Sequence, residues 1–208
     1  FLATVSIKAQ SQFSVSANKH FLLKDGQPFF WMGDTAWELF HRLDREEATQ
    51  YLRRRSEQGF TVIQAVVLAE MDGLHTPNAY GESPLFNDIP ATPNEKYFEL
   101  VDYIIDKAEA YGLTIGLLPT WGDKIFKDKW GKGPEIFNEQ NAAVYGAWIG
   151  NRYKNKTNII WILGGDRNPR NEKDVAIWNA MGTAIKNATG DKALISFHPQ
   201  TNETGSPQ

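Results

Sequence analysis

The stretch that most constrains this chain is Asn158-Ile-Ile-Trp-Ile-Leu-Gly-Gly-Asp-Arg-Asn-Pro169. Ile159 to Leu163 is an apolar, β-branched run with the length of a fully buried strand. Gly164-Gly165 breaks the run, Asp166, Arg167 and Asn168 follow, and Pro169 stops the backbone. A helical pattern begins near Lys173, so the polar cluster occupies a βα loop at the C-terminal mouth of a strand. In parallel α/β folds that mouth is where ligands bind. Asp166 is therefore the first candidate functional residue, a carboxyl group able to hand over a proton. The structural alternative is that it caps the next turn and pairs with Arg167.

The same pattern recurs along the chain. Asp25-Gly26 between apolar runs predicts a hairpin whose second arm is a buried strand, Pro28 to Met32, opening into Gly33-Asp34-Thr35-Ala36-Trp37. Asp44 and Glu47 have capping-box spacing at the head of a helix that Gly59 ends. Phe60 to Ala69 is the next strand, with Gln64 the odd polar residue inside it, and a buried amide needs a hydrogen-bond partner. Glu70 to Pro93 is a long irregular stretch punctuated by Gly and Pro, the kind of loop that carries function. A strongly amphipathic helix from Asn94 to Tyr111 leads to strand Leu113–Leu118, which finishes in Pro119-Thr-Trp-Gly-Asp123. Helices from about Asn138 to Tyr153 and from Lys173 to Ala188 flank the Ile159–Leu163 strand. Strand Ala193–Phe197 then delivers His198.

The order is a β-hairpin followed by five strands joined by helices, which right-handed crossovers turn into a parallel sheet. An open doubly wound sheet and a (β/α)8 barrel both fit that order. No G-x-G-x-x-G or Walker pattern follows the first strand, and Asp, Trp and His crowd the strand ends, which favours the barrel. Five strands do not close an eight-stranded barrel. The 208 residues therefore read as its first five βα units, and an end in mid-loop at Gln208 reads as a truncation. Residues 1–12 read as the remnant of a secretory signal or a disordered N-terminus, with the domain at 13–208.

Composition narrows the partners. A net charge of −3 without a basic block gives no footprint for nucleic acid or an anionic membrane, and no stretch is apolar enough to span a bilayer. The absence of cysteine removes thiol catalysis and Cys-liganded zinc. His41, His75 and His198 match no ligand spacing, so no metal or cofactor is expected. Seven Trp, several of them at strand ends, suit the apolar C–H faces of sugar rings. An oligosaccharide or polysaccharide is accordingly the expected partner.

Three segments carry a resemblance: residues 21–37, Pro119-Thr-Trp-Gly122, and Ile159 to Pro169 with its Gly-Gly-Asp. Together they resemble the apiosidase-like family of bacterial glycoside hydrolases, over nearly the whole chain from residue 13. The resemblance implies a secreted or periplasmic (β/α)8 barrel acting on plant pectic side chains, possibly apiose-containing. It implies Asp166 as the general acid/base, in agreement with the reading from position. It also implies a nucleophilic Glu from a late barrel strand, a role no residue of this chain can receive.

Retaining glycosidases set two carboxyl groups about 5–5.5 Å apart, one protonating the leaving oxygen and one attacking the anomeric carbon. An acid at Asp166 is opposed by a guanidinium facing it, so Arg167 is expected to point elsewhere, to a neighbouring carboxylate or the sugar. Trp31, Trp37 and Trp121 are the candidate stacking walls, and Asp34, Gln64 and His198 the candidate hydroxyl binders. Trp161 is expected in the core. The competing reading is a non-catalytic carbohydrate-binding protein on the same scaffold.

Overall fold

The structure, a computed structural model, describes residues 13–128, 131–190 and 193–201. The expected signal remnant at 1–12 and the end at Gln208 lie outside them. Strands β1 (Phe13–Val15), β2 (Leu22–Lys24) and β3 (Gln27–Pro28) form a small antiparallel sheet in that order. Its two-residue turn is Asp25-Gly26, both left-handed at φ 55° and 76°, as a type I′ turn requires. The arm does not continue as a buried strand to Met32. Strand pairing ends at Pro28, which has no N–H for a ladder, and Phe30 is 76% exposed and Met32 41% exposed. The chain leaves the hairpin there and enters a second sheet at Gly33.

That sheet is built from β4 (Gly33–Thr35), β5 (Val62–Leu68), β6 (Thr114–Thr120), β7 (Ile159–Gly164) and β8 (Ile195–His198), neighbours in chain order and all parallel. The connections hold α1 (Leu39–Arg42) and α2 (Arg45–Glu57), then α3 (Glu95–Ala110), α4 (Glu139–Tyr153) and α5 (Glu172–Ala188). The caps are those the side chains dictate. Asp44 and Glu47 close a capping box on α2, Asn138 and Asn141 do so on α4, and the Asn94 side chain accepts the Lys96 N–H on α3.

Strand parity assigns the two faces. Ile63, Ala65 and Val67 of β5, Ile115 and Leu117 of β6, and Ile159, Trp161 and Leu163 of β7 form one continuous core with all five helices. The alternating residues Val66, Leu118 and Ile162 face the other way, in a small cluster with Ala69, Trp121, Trp31 and Trp37. A doubly wound sheet has helices on both faces; here they share one. The sheet is therefore an arc of five units of a (β/α)8 barrel, with the small cluster on its concave side. Gly146 and Gly150 bring α4 close against α5, since a Cβ at Gly146 would lie 2.6 Å from the Met181 carbonyl oxygen. Arg152 ties α4 to α3 through Asp102, at 2.8 and 2.9 Å, and Glu95. Among the described residues no helix is long and apolar enough to cross a membrane.

Candidate active site

The centre of the mouth is the loop that leaves β7. Gly164, Gly165 and Asp166 have φ of 97°, 100° and 53° in succession. A Cβ on Gly164 would lie 2.3 Å from the His198 carbonyl oxygen, and one on Gly165 would lie 2.8 Å from the Trp121 ring. Only glycines combine that backbone with that proximity. Two bonds fasten the loop: Gly165 N–H to the His198 carbonyl (3.0 Å) and Gly122 N–H to the Gly165 carbonyl (3.2 Å). Of these three residues Asp166 is the one that carries left-handed backbone without being glycine, a cost associated with functional sites. Its side chain is 46% exposed, and Oδ1 lies 3.4 Å from His198 Nδ1. The same Nδ1 accepts the Asp166 backbone N–H at 3.3 Å. Two residues on, Asn168 and Gln200 exchange two hydrogen bonds, of 3.0 and 3.3 Å, which tie the loop after β7 to the loop after β8.

His198, next to the carboxyl group, belongs to a cluster of three rings. Trp37, Trp121 and His198 contact one another with centroids 5.2 to 5.6 Å apart. Trp37 is partly exposed and offers a surface to a ligand. Trp121 is only 2% exposed and forms the floor beneath it.

Arg167 goes underneath. Its side chain is fully buried, and Nη1 donates to the carbonyl of Asp166 at 2.8 Å while Nε donates to the Phe126 carbonyl at 3.4 Å. The guanidinium thus holds Asp166 by its backbone and lies below the exposed carboxyl group. Beside it lies a second buried device. Lys124 Nζ donates to both oxygens of Asp123 and, at 3.0 Å, to the carbonyl of Ala69 at the end of β5. Asp123 Oδ2 also accepts the Gly133 N–H at 2.9 Å.

Other expected site residues lie elsewhere. The Asp34 carboxylate is taken by the Tyr51 hydroxyl at 2.8 Å and by Arg55 Nε, both on α2, because Asp34 pairs in register with helix-facing Ile63. Gln64 is on the concave face, close to Gly33 and Gly116, but five residues before Ala69, about 16 Å down the strand from the mouth. Trp31 precedes β4 and, like Trp37 after it, packs on the concave cluster. Trp161 is in the helix-side core, as expected. Among the described residues no group of three His, Cys, Asp or Glu side chains could hold a metal ion.

The structure adds Glu70, Asp123 and Lys124 to the mouth. Glu70 follows β5, where the charges of Asp123, Asp166 and Arg167 and a hydrogen bond from the Trp121 side chain act on its carboxyl group. Burial, with the charges of Asp123 and Asp166, pushes its carboxyl group above the usual range, against the pull of Arg167 and the Trp121 N–H. The sequence did contain the signal: Glu70 is a carboxylate just beyond an apolar strand, as Asp166 is. Asp123 and Lys124 are adjacent opposite charges in a loop, a pattern that ordinarily means solvent.

The sequence model described as apiosidase-like, catalytic domain, matches residues 16–208. The chain belongs to the apiosidase-like family. No curated protein sequence matches it. Among solved structures, a family 5 glycoside hydrolase from Bacteroides vulgatus ATCC 8482 is 30% identical over 92% of this chain, with a TM-score of 0.78. A second structure, described as a glycoside hydrolase, is 33% identical over 92% of the chain, with a TM-score of 0.76. The endo-1,4-β-mannanase of Rhizomucor miehei shares the fold at 13% identity and a TM-score of 0.64, over 96% of this chain and 64% of that one. The apiosidase-like chain spans 40% and 42% of the length of the first two. Its arc of five strands is thus part of a glycosidase-type (β/α)8 barrel.

Proposed function

We propose that this chain supplies the acid-bearing side of a glycosidase that cleaves pectic side chains, apiose-containing ones among them, by a two-carboxylate mechanism. The observation that carries the reading is the Asp166 carboxyl group, raised by a glycine-built loop at a strand's C-terminal mouth, beside His198, whose ring packs on Trp37. In this reading Trp37 packs on the sugar, and Asp166 protonates the leaving glycosidic oxygen and then accepts a proton from water. Arg167, engaged with the Asp166 carbonyl, fixes the loop while leaving the carboxyl group free to exchange its proton. The second carboxylate is the late-strand Glu that the family resemblance implies, outside these 208 residues. The reading places the protein in the periplasm or outside the cell, where pectic polymers are met.

The test is Asp166→Asn in the full-length protein, followed by release of sugar from apiose-containing pectic oligosaccharides. General-acid loss slows turnover by about 10²–10⁴-fold. A nitrophenyl glycoside, whose leaving group needs no proton, loses far less in the glycosylation step. Unchanged turnover of the oligosaccharide by the variant overturns the assignment. A wild-type protein that binds but never hydrolyses the oligosaccharide makes it a carbohydrate-binding protein instead.

A further inference from the structure

Both polar atoms of the Asp166 backbone are bonded to basic side chains. Arg167 Nη1 donates to its carbonyl at 2.8 Å, and its N–H donates to His198 Nδ1 at 3.3 Å. Between these two bonds Asp166 holds φ at 53°, a left-handed backbone that persists in an aspartate where the surrounding structure fixes it.

His198 is itself fixed. It pairs with Gly164 across β7 and β8, and its carbonyl accepts the Gly165 N–H at 3.0 Å. Its ring lies against Trp37 and Trp121, with centroids 5.5 and 5.6 Å away. An imidazole nitrogen that accepts a hydrogen bond carries no hydrogen of its own. With the Asp166 N–H directed at Nδ1, the bonding pattern assigns His198 as the neutral tautomer with its hydrogen on Nε2. Asp166 Oδ1 also lies 3.4 Å from Nδ1, beyond the about 2.7–2.9 Å usual for a charged N–H···O bond. His75, which does bond carboxylates, meets them at 3.0 and 2.9 Å.

We propose that His198 is a positioning residue for the acid: its unprotonated Nδ1 holds the Asp166 backbone N–H and so sets the direction of the carboxyl group. The inference rests on the glycosidase reading above and adds a residue to it. A hydrogen on Nδ1 would meet the Asp166 N–H head-on and release the loop. In an imidazolium it would also set a cation 3.4 Å from the carboxyl group, favouring the ionised form that cannot serve as an acid. The neutral Nε2–H tautomer avoids both. Misplacing a reacting group by about 1 Å costs on the order of 10²-fold in rate. The bond that orients this loop therefore matters to turnover although Nδ1 faces the protein.

The experiment uses the full-length protein and reads tautomer and turnover separately. In an isotope-labelled sample, two-bond proton–nitrogen correlations report which imidazole nitrogen carries the hydrogen, and the His198 signal is the one lost in His198→Asn. A hydrogen on Nε2 and none on Nδ1 is expected at neutral pH. A hydrogen on Nδ1 overturns the proposal. Two variants then divide the nitrogens: His198→Asn keeps an acceptor near the position of Nδ1, and His198→Gln carries its amide out toward that of Nε2. His198→Gln is expected to lower kcat on an apiose-containing pectic oligosaccharide by about tenfold or more, and far less on a nitrophenyl glycoside, whose leaving group needs no proton. His198→Asn should recover most of that kcat, with KM within about twofold of the parent in both variants. The reverse pattern, KM raised by His198→Asn and untouched by His198→Gln, makes His198 a hydroxyl donor through Nε2 and overturns the positioning role. Equal losses on both substrates with a lowered melting temperature reduce it to a structural residue. A parent protein that hydrolyses neither substrate ends the role together with the glycosidase reading, while the tautomer still decides whether the bond to Asp166 exists.

Discussion

Lys124 Nζ lies 2.8 Å from Asp123 Oδ1 and 2.9 Å from Oδ2, and neither side chain has any exposure to solvent. Two adjacent residues thus carry opposite charges into the base of the site. Through the Ala69 carbonyl and the Gly133 N–H they join the end of β5 to the loops beyond β6. The packing around them is tight: a Cβ on Gly131 would meet Asp123 Oδ2 and Arg167 Nη2, each at 3.0 Å.

Lys124→Met leaves the Asp123 carboxylate buried without its cation. The expected loss is about 3–5 kcal/mol, because an uncompensated buried charge pays its desolvation in full. Lys124→Met with Asp123→Leu should recover part of that loss but not all. The Ala69 carbonyl and the Gly133 N–H then each lack a partner, and an unsatisfied buried group costs about 1–3 kcal/mol. Urea unfolding of the parent, the single and the double variants measures both quantities. A Lys124→Met protein as stable as its parent removes the pair from the account of how the mouth is held.

Asp34 is the test of where strand parity sends a carboxylate. Its bonds to Tyr51 and Arg55 attach β4 to α2, and burial together with Asp34 holds the Tyr51 hydroxyl above its ordinary acidity range. Asp34→Asn should lower stability by about 1 kcal/mol, a charged hydrogen bond discounted for the partial exposure of both partners. KM for the oligosaccharide should not move. A raised KM at unchanged stability would return Asp34 to the hydroxyl binders.

The legible part of this protein was the part written in apolar runs. β5, β6 and β7 are predominantly hydrophobic strands with helical periods between them, so their order and their parallel pairing follow from pattern. Asp166 was legible for the same reason: Gly-Gly ends a strand and the next side chain stands at the mouth. Depth and direction were not. Gln64 and Asp34 are both polar residues in strands, yet the register Thr35–Gln64 puts Gln64 low on the concave face, and Asp34–Ile63 turns Asp34 toward the helices. That register depends on how β4 and β5 pair, which no single strand encodes. Glu70 repeated the signal of Asp166 but was diluted by the acids and the histidine of the loop after it. The Asp123–Lys124 pair is visible only once tertiary packing has removed the water around it.

The loop after Glu70 has a clasp of its own that titrates. His75 Nδ1 lies 3.0 Å from Asp72 Oδ1 and Nε2 lies 2.9 Å from Asp88 Oδ2, and both aspartates have left-handed backbones, at φ 63° and 57°. Asp88 chiefly, and Asp72 after it, raise the His75 pKa above its usual value, against a smaller opposing effect of burial. With the folded value raised, the clasp contributes fully below about pH 6.5, the ordinary value for histidine, and fades as pH rises through the raised one. His75 is 52% exposed, so the contribution stays below about 1 kcal/mol, or roughly fivefold in protection. Hydrogen exchange across residues 72–88, corrected for its intrinsic pH dependence, should show protection at pH 5.5 that declines by pH 9. In His75→Ala the same segment should be less protected at pH 5.5 and no different from the parent at pH 9. Identical profiles for the two proteins would show that the loop is held by its turns and not by the imidazole.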